Sequence, residues 1–191
     1  MKKLLIIGHG GHGIVTAETA EATGLYETID FADDNDPNAV GKIEDLEYLH
    51  KQYDCAFVGI GDNLLRAKLI HKLETIGYEI PVLIHPTAYV SKSATIEKGT
   101  VLEPKSIVNA NTYIGFGSII SVGAIIDHNA KIGSCCHVNA GAIVKAGGEV
   151  ENFKKLEAGE VVLGYEAARV SSTAVPDGNS VFKSNSASRT E

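Results

Sequence analysis

Tryptophan is absent from this 191-residue chain, Met occurs once and Phe five times. A core so poor in large wedges must be filled by small and β-branched side chains, which suits stacked β structure. Cysteine is also scarce. Cys55 stands alone and Cys135-Cys136 are adjacent, so no disulfide framework is available and a reducing cytoplasm is the simple reading. A basic excess is missing too. Seventeen Lys and Arg against 24 Asp and Glu give a formal charge of -7, which argues against nucleic acid as a general partner, because phosphate binding needs a basic face. No run approaches the roughly 20 apolar residues of a spanning helix, and the short apolar segment after Met1-Lys2-Lys3 is too brief for a secretion signal, so no membrane partner is expected. Glycine, by contrast, occurs 20 times.

Two textures meet near Pro86. Before it, apolar runs alternate with helical patterns. Leu4 to Ile7 reads as a buried strand and Gly13 to Thr23 as a helix. Thr28 to Phe31 reads as a strand, Ile43 to Tyr53 as a short helix, and Cys55 to Ile60 as a third strand. Leu64 to Gly77 reads as an amphipathic helix and Pro81 to Ile84 as a fourth strand. Alternation at this pitch predicts a small parallel α/β sheet over residues 1–85.

After Pro86 a six-residue period takes over. Val90, Ile96, Leu102, Val108, Ile114, Ile120, Ile126, Ile132, Val138, Val144, Val150, Leu156 and Val162 are in step. Two residues before each, the side chain is small from Ala88 to Gly148. A helix advancing 100° per residue cannot keep such a set on one side. A triangular prism can: each six-residue unit makes one face and one corner, three units close a coil, and coils stack at about 4.8 Å. This predicts a parallel β-helix over residues 86–182, with a polar tail at 183–191. The small slot becomes Lys154, Glu160 and Glu166 near the end, beside Phe153, which predicts a distorted or shortened last coil.

Gly8-His9-Gly10-Gly11-His12-Gly13 lies between a predicted strand and helix, with Asp30, Asp33 and Asp34 following. Such glycines let a backbone approach a diphosphate at a helix N-terminus. A nucleotide or nucleotide-sugar site, a structural glycine turn and a dinucleotide redox site all fit the pattern. The short α/β region favours a single nucleotide. The acidic run Asp33-Asp34-Asn35-Asp36 reads as a solvated loop rather than a metal site. Gly61 and Asn63, after the third strand, would face the same crevice, although a helix cap explains them as well. In the repeats, His128 and His137 stand out. An imidazole titrating near neutrality suits deprotonation of an amine or hydroxyl attacking a thioester. Nine residues apart, the two cannot easily share one substrate within a chain. A zinc site would want three convergent imidazoles, whereas the repeats hold two, with Cys135 and Cys136 as possible extras.

Taken together, several segments resemble bacterial sugar O- and N-acyltransferases of the sialic-acid O-acetyltransferase type, which include acetyltransferases of UDP-4-amino-4,6-dideoxy sugars. They are the glycine loop, Phe31-Ala32-Asp33-Asp34, Gly59 to Arg66, Leu83 to Ala88, Asp127 to Gly133 and His137 to Ala142. The resemblance runs from Met1 to about Val150. It implies an α/β Rossmann-like N-terminal subdomain followed by a left-handed parallel β-helix, assembled as a homotrimer with acetyl-CoA in the groove between subunits. It implies a nucleotide sugar with Gly10, Gly11, His12 and Gly13 near its phosphates, Asp33 and Asp34 near its base, and Gly61 and Asn63 alongside. His128 matches the general base and His137 the histidine holding the acetyl group; Gly141 and Gly147 fall on the coenzyme side, with an amide near Gly147 suited to an oxyanion. No metal is expected.

Three departures accompany the match. Asn129 stands where the family often has a carboxylate behind the base, and strand alternation predicts that Asp127 points away. Residues 149–169 lack clean repeats. Asn185-Ser186-Ala187, after Val175 to Val181, replaces the family's usual Asn-Pro-Ala. O-acetylation of a sialic acid, a non-catalytic nucleotide-sugar binder and a trimeric β-helix zinc enzyme remain the other readings.

Overall fold

The structure, a computed structural model, describes residues 2–165. The Val175 to Val181 segment and the 183–191 tail lie outside the described residues.

The chain opens with β1 (Lys2–Ile7), α1 (Gly11–Thr23), β2 (Tyr26–Ala32), a 3-10 turn (Ile43–Asp45), α2 (Leu46–Leu49), β3 (Cys55–Val58) and α3 (Asn63–Ile76). β1 lies between β2 and β3 in a parallel three-stranded sheet. Both faces of the sheet are covered at its centre, so β1 from Leu4 and β3 read as unbroken apolar runs, whereas the edge strand β2 keeps Glu27, Thr28 and Asp30. Leu5 and Ile7 pack toward α2 and α3, while Leu4, Ile6 and Phe57 pack with Ala17 and Ala20 of α1. The helix ends follow from their caps. The Asp62 side chain accepts the Leu65 N–H at 2.7 Å to start α3. Gly24 and Gly77 take left-handed conformations that stop α1 and α3.

The helix expected from Ile43 to Tyr53 is a 3-10 turn and one α turn. Asp45 accepts the Lys42 N–H and Asp34 the Ile43 N–H, which anchors the segment at its start, and Leu46, Leu49 and Tyr53 reach the core.

Fourteen two-residue strands follow, β4 to β17 in chain order, from Leu83–Ile84 to Val161–Val162. They stack as three parallel sheets, the faces of a left-handed β-helix prism. The first face holds β4 (Leu83–Ile84), β7 (Val101–Leu102), β10 (Ile119–Ile120), β13 (His137–Val138) and β16 (Lys155–Leu156). The second holds β5 (Tyr89–Val90), β8 (Ile107–Val108), β11 (Ile125–Ile126), β14 (Ile143–Val144) and β17 (Val161–Val162). The third holds β6 (Thr95–Ile96), β9 (Tyr113–Ile114), β12 (Lys131–Ile132) and β15 (Glu149–Val150).

The second residue of each strand from β7 to β16 is buried and forms one continuous core. The small slot works as its side chains require. Ser106, Thr112 and Ser118 are buried, and each donates its hydroxyl to a carbonyl, of Glu103, Asp127 and Gly133 respectively. Every corner from Gly99 to Gly159, at six-residue steps, has φ between 51° and 70°. Glycine takes six of these eleven positions, and Lys105, Asn111, Asn129, Cys135 and Phe153 take the rest. Left-handed geometry costs a non-glycine residue roughly 1–2 kcal/mol, so the cross-coil hydrogen bonds must hold these five in place.

One expectation fails: the fourth strand of the α/β sheet does not exist as such, because Leu83–Ile84 pairs with Val101–Leu102 and is the lowest rung of the first face. The distortion expected around Phe153 and Lys154 is not present through Val162: Phe153 adopts the left-handed corner conformation, Lys155 pairs with His137 and Val161 pairs with Ile143 in register. Glu166, the last slot of that expectation, lies outside the described residues.

The first face carries the α/β domain, with Leu83, Val101 and Ile119 joining the core that contains α1. Arg66, fully buried on α3, clips the two together. Its guanidinium donates to the carbonyls of Ile60, Gly61, Gly117, Cys135 and Cys136 and to the Asn63 side chain, at 2.6–3.2 Å.

Candidate active site

The glycine loop divides by function. A Cβ on Gly13 would lie 2.0 Å from the Gly8 carbonyl oxygen, and one on Gly59 would lie 2.8 Å from the Gly13 Cα. Those glycines are needed for helix-against-strand packing. Gly10, Gly11 and Gly61 face open space. Gly10 caps α1 without a side-chain bond to the first-turn amides. His9 stacks on Phe31 with ring centroids 3.8 Å apart and bonds Asp36.

Asp33 and Asp34 line a hollow of about 520 Å³ with Asn35, Asp36 and Lys42. Asp33 accepts the backbone N–H of His9 and of Asn35, both at 2.8 Å, and these bonds hold its carboxyl below the usual range. Asn63 is engaged at both ends, accepting from Arg66 and donating to the Phe153 carbonyl at 2.8 Å, so it ties the domains together.

His128 stands at the corner between the second and third faces, half exposed. Here alternation misleads. Asp127 does not point away: its Oδ1 meets the His128 backbone N–H at 2.7 Å, the His128 Nδ1 at 2.9 Å and the Asn109 amide at 3.0 Å. A corner residue is not a strand residue, so the side chain folds back over the turn. These bonds, the backbone one first, hold the Asp127 carboxyl low and ionised. With Nδ1–H donated to a carboxylate, Nε2 carries the lone pair. Asn129, expected in the orienting position, supplies the left-handed corner instead (φ 57°). Its side chain is exposed and its N–H donates to the Ala110 carbonyl.

Gly147 is one coil above, and its N–H donates to the His128 carbonyl at 3.0 Å, so that amide is not free for an oxyanion. A Cβ there would meet the Tyr165 ring at 2.2 Å. Gly141 (φ 65°) lies at the other edge of the second face in a column with Gly123 and Gly159, where nothing would lie within 4 Å of a Cβ.

His137 is on the first face, away from His128. Its Nε2 meets the Ser121 hydroxyl at 3.2 Å, and its ring lies 5.9 Å from that of His12, brought over by α1. Burial, first of all, pushes both imidazoles down to about 4, so they are neutral at pH 7. Glu103 and Ser121 complete this cluster. Neither stood out in the repeats, where polar corner residues are ordinary. Burial also raises the Cys135 thiol to about 11 and moves Cys136 upward, so neither is a ready thiolate. Among the described residues, no three His, Cys, Asp or Glu side chains converge as a metal set, and no helix is long and apolar enough to cross a membrane.

Fold and site together define a hexapeptide-repeat acyltransferase with an α/β domain in front. Residues 3–73 match the PglD N-terminal domain family. The acetyltransferase domain of PglB from Neisseria gonorrhoeae, solved with acetyl coenzyme A, is 32% identical, with a TM-score of 0.80 over 84% of this chain and 81% of that one. A histidine-to-asparagine mutant of perosamine N-acetyltransferase from Caulobacter crescentus, solved with CoA and GDP-perosamine, is 30% identical, with a TM-score of 0.77 over 86% of this chain and 90% of that one. UDP-N-acetylbacillosamine N-acetyltransferase of Bacillus subtilis is 32% identical over 119 residues, which are 53% of this chain; the match spans about half (51%) of that relative. The chain belongs to the hexapeptide-repeat sugar N-acetyltransferases.

Proposed function

We propose that this protein transfers the acetyl group of acetyl-CoA to the amine of a nucleotide-linked amino sugar of the 4-amino-4,6-dideoxy type, by direct attack within a ternary complex. The observation that carries the reading is the Asp127–His128 pair at an exposed corner: a carboxylate faces Nδ1 of a half-exposed imidazole, which favours the tautomer with its lone pair on Nε2. His128 Nε2 takes a proton from the attacking amine as the C–N bond forms. The tetrahedral adduct then collapses, the C–S bond breaks, and the thiolate of CoA leaves to be protonated.

The other residues have stated parts in this reading. The bare corner at Gly123, Gly141 and Gly159 suits the coenzyme's pantetheine arm, and His137 faces the acetyl group. The open amides at Gly10, Gly11 and the start of α1 suit the diphosphate, and the hollow beside Asp34 suits the base.

A homotrimer belongs to the same reading. The outward residues of the second face are Tyr89, Ile107, Ile125, Ile143 and Val161, an apolar ladder the full height of the prism, whereas the third face presents Thr95, Tyr113, Lys131 and Glu149. Packing that ladder against a neighbouring copy would put His128, on its edge, into a groove between subunits.

The test is His128→Ala with acetyl-CoA and a panel of nucleotide amino sugars and sialic acids, following release of free thiol. Turnover should fall by roughly 100- to 10,000-fold with the fold unchanged. Near-normal turnover would remove the general base, and preference for a sialic acid would make the acceptor a hydroxyl.

A further inference from the structure

A polar notch lies between the α/β domain and the first face, built from four separate segments: His12 in the first turn of α1, Glu103, Ser121 and His137. Glu103 directly follows β7 and Ser121 directly follows β10, and those two strands are paired in register, so both residues occupy one prism position on consecutive coils. The coil therefore has no need of a carboxylate there. A small hydroxyl serves one level up. Yet Glu103 is only 6% exposed, and a buried carboxylate is costly unless it is hydrogen-bonded or paired.

Its partners show what it meets. One oxygen accepts the Val122 N–H at 2.9 Å, and the other faces Nδ1 of the neutral His12 at 3.8 Å, too far for a hydrogen bond. His137 Nε2 is engaged by Ser121 at 3.2 Å. The two remaining ring nitrogens, His12 Nε2 and His137 Nδ1, are buried without a hydrogen-bond partner. Buried polar atoms are seldom left so, and a pair of them in one notch marks a place for a polar group that arrives from outside. Both imidazoles are neutral, so each has one proton and one lone pair. For His12, a carboxylate facing Nδ1 draws the proton to that side and leaves the lone pair on Nε2.

We propose that Glu103 is a positioning residue of the sugar site: it sets the His12 tautomer so that the buried Nε2 accepts a hydrogen bond from a donor group of the acceptor sugar held beside His137. The inference rests on the acetyltransferase reading for its ligand and on geometry for its mechanism. A buried acceptor of this kind rejects an analogue that lacks the donor, so Glu103 also contributes to sugar selectivity.

Glu103→Gln separates this from a merely structural role. The amide retains an oxygen for Val122 and turns an NH2 toward His12, which favours the opposite tautomer. In long-range ¹H–¹⁵N spectra of the sugar-free protein, His12 should be protonated on Nδ1 in the parent and on Nε2 in the variant. The KM for the nucleotide amino sugar should rise at least about tenfold, with the KM for acetyl-CoA unchanged. In a His12→Ala background, Glu103→Gln should cause no further loss. An unchanged His12 tautomer in Glu103→Gln, or additive losses in the two-residue cycle, would overturn the proposal. Should the parent protein transfer acetyl to no sugar at all, the acetyltransferase reading fails, and the tautomer measurement still decides the role of Glu103.

Discussion

At the scale of single residues, the proposed role of His128 as base depends on which neighbour orients it. Asp127 supplies the hydrogen bond to His128 Nδ1, while Asn129 makes the turn. Asp127→Asn should therefore lower kcat by roughly tenfold or more, because an amide facing Nδ1 no longer specifies the required tautomer. Asn129→Gly, which keeps the left-handed corner, should leave kcat within about twofold. Steady-state kinetics on the two variants checks both.

The buried imidazoles have a thermodynamic signature. His12 and His137 are neutral in the folded protein down to about pH 4, while in the unfolded chain they bind protons near 6.5. As pH falls between those values, the unfolded state takes up protons first, so stability declines; as pH rises through the same window, it returns. Each imidazole contributes at most about 3 kcal/mol of this slope. Urea midpoints measured from pH 7 to pH 4 should fall, and His12→Gln should flatten the curve.

At the scale of elements, the glycine loop illustrates why one motif has two meanings. Gly13→Ala drives a methyl group into the Gly8 carbonyl and should destabilise the protein by about 3 kcal/mol or more. Gly11→Ala meets nothing and should leave the thermal midpoint within a few degrees, while raising the KM for the nucleotide sugar. Calorimetry and kinetics on the pair separate packing from binding.

Much of the fold could be read from the chain itself, because a β-helix writes its geometry locally. Interior, slot and corner each repeat with the same short period. Where reading failed, a longer-range fact had intervened. Leu83–Ile84 looks like any α/β strand, and only its pairing with Val101–Leu102 assigns it to the prism. Lys154 and Phe153 look like breaks in the pattern, and only the pairing of Lys155 with His137 and the left-handed corner at Phe153 place them in register. In the site, His128 and His137 stood out as imidazoles among small residues. Glu103 did not, since its meaning comes from α1, a helix far back in the sequence.

At the scale of the whole molecule, the α/β domain occupies the first face, and the second face carries the apolar ladder through which the proposed trimer would pack. If the proposed trimer packs through that ladder, replacing Ile125 with Glu should place a charge in it, dissociate the assembly and abolish transfer, while Lys131→Glu on the third face should leave the assembly intact. Sedimentation velocity distinguishes these outcomes. Loss of assembly together with loss of activity is the expected pairing for a catalytic groove shared between copies.

The register of the stack also governs how such a chain can change in length. Each strand pairs with the third strand beyond it, so gaining or losing one whole coil restores every face, slot and corner to its place. A single repeat unit, a third of a coil, would turn everything beyond the change by one face, carrying His128 from the edge of the ladder to another edge of the prism. A duplicated coil above Val150 would merely lengthen the column. The same coil inserted between Glu103 and Ser121 would lift His137 one level away from His12. Growth is thus permitted in whole coils and only at the far end, and the lower coils are held to their present number by the domain clasped against them.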